Sequence, residues 1–122
     1  MGLIIFSIKM KISEMTVNEI EQVVKQLNSS RHKGLVEKLI HSAIRYARIR
    51  VDWILLPVEQ RMELEEERTI AHNAFISSCD ILARNMAKQG EDNSWRTMIG
   101  SDRKEIGDFA CWIHLIMGLK AR

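Results

Sequence analysis

Phe75, Cys79, Leu82 and Met86 recur three and four residues apart, which places them on one face of a helix. Traced toward the N-terminus, the same face brings up His72, Arg68 and Glu65, so an ionisable triplet stands where the apolar stripe should continue. Upstream, Leu35, Leu39, Ala43, Tyr46, Arg50 and Trp53 draw a second stripe, flanked by Val36, Ile40, Ala47, Val51 and Ile54. Ile20, Val24 and Leu27 draw a shorter third one. Near the C-terminus Ile106, Phe109, Ala110, Ile113, Ile116 and Met117 share a face, while Trp112, Leu115 and Leu119 occupy the opposite side. A helix apolar nearly all round predicts the most buried element of the molecule.

Local signals set the boundaries. Thr16 with Glu19 forms a capping box and opens a helix over 16 to 28. Asn28, Ser29 and Ser30 break it and offer a new N-cap for a helix over 30 to 56, which Pro57 ends. The same proline can open a third helix over 58 to 89, with Glu59 and Glu63 favourable at its N-terminus and Gly90 as its stop. Residues 91 to 100 read as a polar connection with a short turn around Trp95 and Met98. Asp102, paired with Glu105, caps a fourth helix over 102 to 121. The fold class is therefore all-α, a single-domain bundle of four main helices over residues 16 to 122, preceded by an apolar N-terminal arm over 1 to 15. Residues 6 to 13 alternate as a strand would, but a lone strand has no partner. A docked arm, or an extension upstream of a start at Met10 or Met15, is the better reading than a strand paired with its copy.

Composition agrees: 122 residues with 46% apolar and 28% charged content describe one soluble domain. No segment reaches transmembrane length, and the opening MGLIIFSIKMK lacks the basic start and cleavage site of a secretory signal. It also lacks the hydroxyl that myristoylation wants at position 6, where Phe6 stands. Cys79 and Cys111 read as reduced thiols of a cytoplasmic protein. The net charge of +2 is small but uneven. A basic block over residues 31 to 50 is answered by an acidic one over 59 to 67, and in antiparallel helices the two are expected to neutralise each other. Lys38, His41, Arg45 and Arg48 form a phosphate-facing row, but Asp52 interrupts it, so a solvated face is favoured over nucleic-acid binding.

The polar residues on apolar faces are Arg50, Glu65, Arg68, His72 and Asp108, and buried charge demands partners. Asp108 is expected to pair with Arg68 or Arg50, with at least one of Arg68 and His72 bonded to it. A network fixing helix register is favoured over a ligand pocket built from the same five residues. Loss of Asp108 from a fully buried network would cost about 3 kcal/mol or more. Cys111 with His114, and His72 with Cys79, supply soft ligands but no second close pair, so no metal or other cofactor is expected. His114 reads instead as part of a small-residue edge with Gly107, Cys111 and Gly118. Ser77, Ser78 and Cys79 lack a glycine elbow, and phosphate loops and dinucleotide fingerprints are absent. Three residues separate Arg68 from His72, fewer than the four to six of helical-bundle ribonucleases of the HEPN class, so no catalytic residue is assigned.

The blocks RTIAHNAFISSCDILARNM and DRKEIGDFACWIHLIMGLKAR resemble the C-terminal half of a family of small bacterial helical proteins of unknown function, over about residues 50 to 122. The resemblance implies an all-helical intracellular bacterial protein and carries over no activity. The expected role is that of a small cytosolic, non-enzymatic interaction protein that self-associates, with neither membrane nor nucleic acid as partner. The alternatives are a ligand-binding or hydrolytic bundle with an unidentified small-molecule ligand around Arg68, His72 and Asp108, and nucleic-acid binding through the basic face of the second helix.

Overall fold

The computed structural model describes residues 15 to 117; the expected arm, with its alternating segment, lies outside the described residues except for Met15. The chain is all-α. Its helices are α1 (Val17–Asn28), α2 (Lys33–Leu55), α3 (Met62–Lys88), α4 (Ser94–Ile99) and α5 (Arg103–Met117), with a 3-10 turn at Val58–Gln60.

Helix α1 begins at the predicted capping box: Glu19 N donates to the Thr16 hydroxyl at 3.3 Å and Thr16 N donates to the Glu19 carboxylate at 3.0 Å. It buries Ile20, Val23, Val24 and Leu27. Helix α2 starts at Lys33, later than the Ser30 cap implied. Ser30 is buried and committed elsewhere, its hydroxyl accepting from His32 N at 3.1 Å and donating to Glu91 at 3.4 Å. Glu91 also accepts from Arg31 N at 3.0 Å, so the loop after α3 organises the one before α2.

Helix α2 stops where proline requires, with Leu56 extended at ψ 147°. Pro57 opens the 3-10 turn rather than α3 itself, and α3 begins at Met62 instead of 58. Arg61 explains the delay. Its guanidinium donates to the Ile54 and Leu56 carbonyls at 3.0 and 3.2 Å, capping the free end of α2, and that reach needs a reversal before the next helix. The first nine residues of α3 are then an overhang, because its buried face starts only at Ala71 and continues through Phe75, Cys79, Leu82, Ala83 and Met86. Burial pushes the Cys79 thiol up to about 12, which leaves it inert.

Gly90, at φ 72°, ends the α3 region as predicted. The connection that follows holds more than the expected turn: α4 is a short helix whose Trp95 is fully buried, 6.4 Å from Phe109 in a stacked arrangement. Asn93 donates to the Ala83 carbonyl at 2.9 Å and Arg96 pairs with Asp80 at 2.6 Å, so α4 is fastened to α3 at both ends. Asp102 caps α5, accepting from Lys104 N at 2.8 Å. One ring series runs through the core, with Tyr46 6.3 Å from Phe75, Phe75 6.0 Å from Phe109, and Trp95 beyond it.

Helix α5 packs on every other helix among the described residues. It is not covered all round, as its sequence suggested: Trp112 is half-buried and Leu115 is 64% exposed. Helix α2 covers one side and α1, α3 and α4 cover parts of others, and among the described residues Leu115 stays outside that cover. The charge blocks also part from expectation. Among the described residues no ion pair joins the basic block of α2 to the acidic block after it. Antiparallel packing places residues 59 to 67 beside the last turns of α2, away from Arg31 to Arg48. Because its indole is fully buried, Trp95→Ala should cost about 3–5 kcal/mol although it lies in a six-residue helix, measured as a urea midpoint shift at unchanged slope.

Candidate functional site

The end of the bundle where α2 finishes and α3 and α5 begin collects the charged residues. Helix α2 presents Tyr46, Arg50, Trp53 and Ile54, the α3 overhang presents Arg68, and the first turn of α5 presents Arg103 and Lys104; together they line a cleft of about 300 Å³. A hollow of about 420 Å³ lies between α1 and α2, with Met117 of α5 in its wall.

Asp108 bonds to Arg50, at 3.1 Å, and its other oxygen lies 3.7 Å from Lys104 Nζ. This meets one of the two pairings expected for Asp108. The stronger expectation, a bond from Arg68 or His72, is corrected: Arg68 Nη2 donates instead to both oxygens of Glu65 at 3.0 and 3.2 Å, on its own helix. The reason is reach. Gly107 carries no side chain, and a Cβ there would come within 2.8 Å of Arg50 Nε, so the guanidinium lies flat against α5 and arrives at Asp108 first. Arg50 also donates to Cys111 Sγ at 3.5 Å. Burial works against its charge, but the bonds from Cys111 and Asp108 outweigh that and hold the guanidinium above its ordinary value.

Arg68 lies over the Trp53 ring, 4.2 Å from its centroid, and Arg61 lies 4.6 Å from the same centroid. The Glu65 carboxyl is held below the usual carboxylate range chiefly by the Arg68 bonds, with Arg103 at 3.9 Å adding to the pull. Arg68 Nε is shielded from solvent without a partner. His72 points inward as expected, its ring edge-on to Tyr46 at 5.3 Å and its Nδ1 3.3 Å from Asn73 Oδ1. Burial pushes its imidazole below the ordinary value; the Asn73 contact opposes that, and Arg103 and Arg68 reinforce it.

The five residues read from the sequence thus converge on one end of the bundle, in two sets rather than one network. Arg50 and Asp108 form the first, Glu65 and Arg68 the second, and His72 packs edge-on against Tyr46. Sequence reasoning missed Arg103, Lys104 and the role of Trp53. A signal existed for the first two: cations in the first turn of a helix oppose its dipole, and such a local conflict marks a site with another use. Helix α5 carries both directly after its cap. Among the described residues no three His, Cys, Asp or Glu side chains gather to share a metal ion, and no helix is long and apolar enough to cross a membrane. No family, curated protein or solved structure matches the chain.

Two predictions follow from this geometry. The Arg50 and Asp108 side chains are 21% and 26% exposed, between the surface and buried regimes. Asp108→Ala should therefore cost about 1–2 kcal/mol rather than the 3 expected of a buried network, against at most about 0.5 kcal/mol for Glu66→Ala, in denaturant titrations at neutral pH. The second concerns His72. Its folded value lies below the ordinary 6.5, so on acidification the unfolded chain takes up a proton that the folded chain resists, and stability falls as pH drops below 6.5. His72→Gln removes this loss. The stability difference between the two proteins should shift in favour of the variant between about pH 7.5 and about pH 5.5, and a constant difference would contradict the assignment.

Proposed function

We propose that the chain is a small interaction protein that self-associates, and that its α2–α5 face is the contact between copies. One observation carries this reading: large apolar side chains are exposed in an unbroken series from α2 into α3. Val51 and Ile54 are about half exposed, Leu55 is 76% exposed, Val58 71% and Met62 84%, at steps of one to four residues. Leu115 extends the series across a groove of about 630 Å³ lined by Ala47, Arg48, Val51, Asp52, Cys111, His114 and Leu115. Apolar surface of this continuity is uncommon on monomers, whereas scattered cases such as Val17 or Ile70 need no explanation.

Charge placement supports a second copy as the occupant. Two α2 helices crossing antiparallel about a two-fold axis beside residue 50 bring Arg48 of one copy opposite Asp52 of the other, twice per dimer. Both side chains flank the groove, and Val51 lies between them. The reading includes an intracellular bacterial setting, supported by the two free cysteines and by the likeness of residues 50 to 122 to small bacterial helical proteins.

Light scattering coupled to size exclusion tests the proposal. The expected result is a dimer at micromolar concentration that Leu55→Asp converts to a monomer without change in helicity, since Leu55 has little to lose in the folded monomer. Arg48→Asp should weaken the dimer, and adding Asp52→Arg should restore it. A wild-type monomer up to roughly 100 μM, or a dimer indifferent to all three variants, would refute the reading.

A further inference from the structure

The geometry points to a second property, resting on other residues: the cleft between α2, α3 and α5 is a binding site for a phosphate dianion, free or carried as a monoester. Four of the residues lining the cleft are cations, Arg50, Arg68, Arg103 and Lys104, and none is an acid. Among the described residues two carboxylates pair with these four. Glu65 takes Arg68 at 3.0 Å and Arg103 at 3.9 Å, and Asp108 takes Arg50 at 3.1 Å and Lys104 at 3.7 Å. Each cluster is two cations on one anion, so each carries a surplus positive charge, and the two clusters face the same hollow. The surplus matches the charge of a phosphate monoester near neutral pH.

Donor geometry agrees with charge. An arginine offers five N–H donors, and a single carboxylate engages only part of that fork. Arg68 spends one nitrogen, Nη2, on Glu65, and its Nε is buried with no partner. Arg103 reaches Thr69 Oγ1 at 3.5 Å and otherwise stands half exposed at the rim. Stacking against Trp53 holds the Arg68 plane in place, so part of the ordering cost of anion binding is already met. The hollow of about 300 Å³ is at the small end of ligand sites, which suits a small phosphate compound rather than an extended one. Trp53, Tyr46 and Ile54 provide the apolar walls against which the organic part of a monoester would lie.

A basic row on the outer face of α2 is a different surface. Lys38, His41, Arg45 and Arg48 are exposed, and none of them lines the cleft. The two can therefore be tested apart. The full chain, labelled with nitrogen-15, is titrated separately with inorganic phosphate and with phenyl phosphate while the indole N–H of Trp53 is followed by NMR. Expected are saturable shifts of Trp53 with both probes, tighter for phenyl phosphate if the walls receive the organic part, and equal for the two if the site takes free phosphate. Arg103→Ala combined with Lys104→Ala should weaken binding about tenfold or more, and because both side chains are exposed the fold should be unaffected. Lys38→Ala combined with Arg45→Ala should leave binding unchanged. The inference is overturned by an unmoved Trp53 at about 10 mM phosphate, by equal binding in the Arg103 and Lys104 double variant, or by shifts confined to the α2 row with a single-stranded oligonucleotide as the only effective anion.

Discussion

Helix α5 has fifteen residues, of which Glu105, Ile106, Gly107, Phe109, Ala110, Ile113 and Met117 are buried, and it touches every other helix among the described residues. The contact that fixes its position is with α2. Two long helices, α2 and α3, form an antiparallel pair, and α5 must lie in their groove for Phe109 to meet Phe75 and for Trp95 to close over Phe109. Gly107 leaves room on α5 for Arg50, since a Cβ there would lie 2.8 Å from its Nε. A glycine inside a helix costs roughly 0.5–1 kcal/mol relative to alanine, so its place here is explained by the packing and not by the helix. The same absence of a side chain lets a charged group cross the interface and pair on the far side.

That crossing accounts for the uneven ends of the molecule. Toward the start of α2, the apolar stripes meet and close: Ser30, Arg31 and His32 are organised by Glu91, and Leu39, Leu82 and Met86 are buried. Toward its end, α3 overhangs before its first buried residue. Side chains there face water or one another. The charged pairs fill the inner side of this end, where the guanidinium groups of Arg68 and Arg50 lie against Trp53 and Gly107, and the apolar series from Val51 to Met62 occupies the outer side.

Periodicity was enough to read the four main helices, because each has a stripe long enough to outvote its exceptions, and the capping box at Thr16, the stop at Gly90 and the cap at Asp102 set boundaries through local chemistry alone. Helix α4 was not readable. Six residues carry less than two turns, and its stability comes from Trp95 in the core and Arg96 on Asp80, neither of which has a sequence period. The late start of α3 was hidden for a similar reason, since Arg61 acts on carbonyls that belong to another helix. Of the site, the spacing on α3 gave the face that Glu65, Arg68 and His72 share. It could not say which acid meets which arginine, because that depends on how closely two helices approach, and the approach is set at Gly107. An all-apolar count on α5 misled in the other direction: it measured how much surface wants cover, and the fold supplies less than that.

Ile54 joins the two surfaces. It lines the cationic cleft and also belongs to the exposed apolar series. Trp53 is its neighbour in sequence and carries the stacked arginines, so the last turn of α2 serves both sides at once. A partner that covers Ile54 removes water from one wall of the cleft, and lower local polarity strengthens any interaction between the cations there and a bound anion. Were both proposals to hold, the coupling would be reciprocal: whatever a second copy added to anion affinity, the anion would add to association. Arg61 fixes the shared wall, because its two bonds to the Ile54 and Leu56 carbonyls tie the last turn to the reversal before α3. The residue that ends one helix therefore also holds the wall that the two surfaces share.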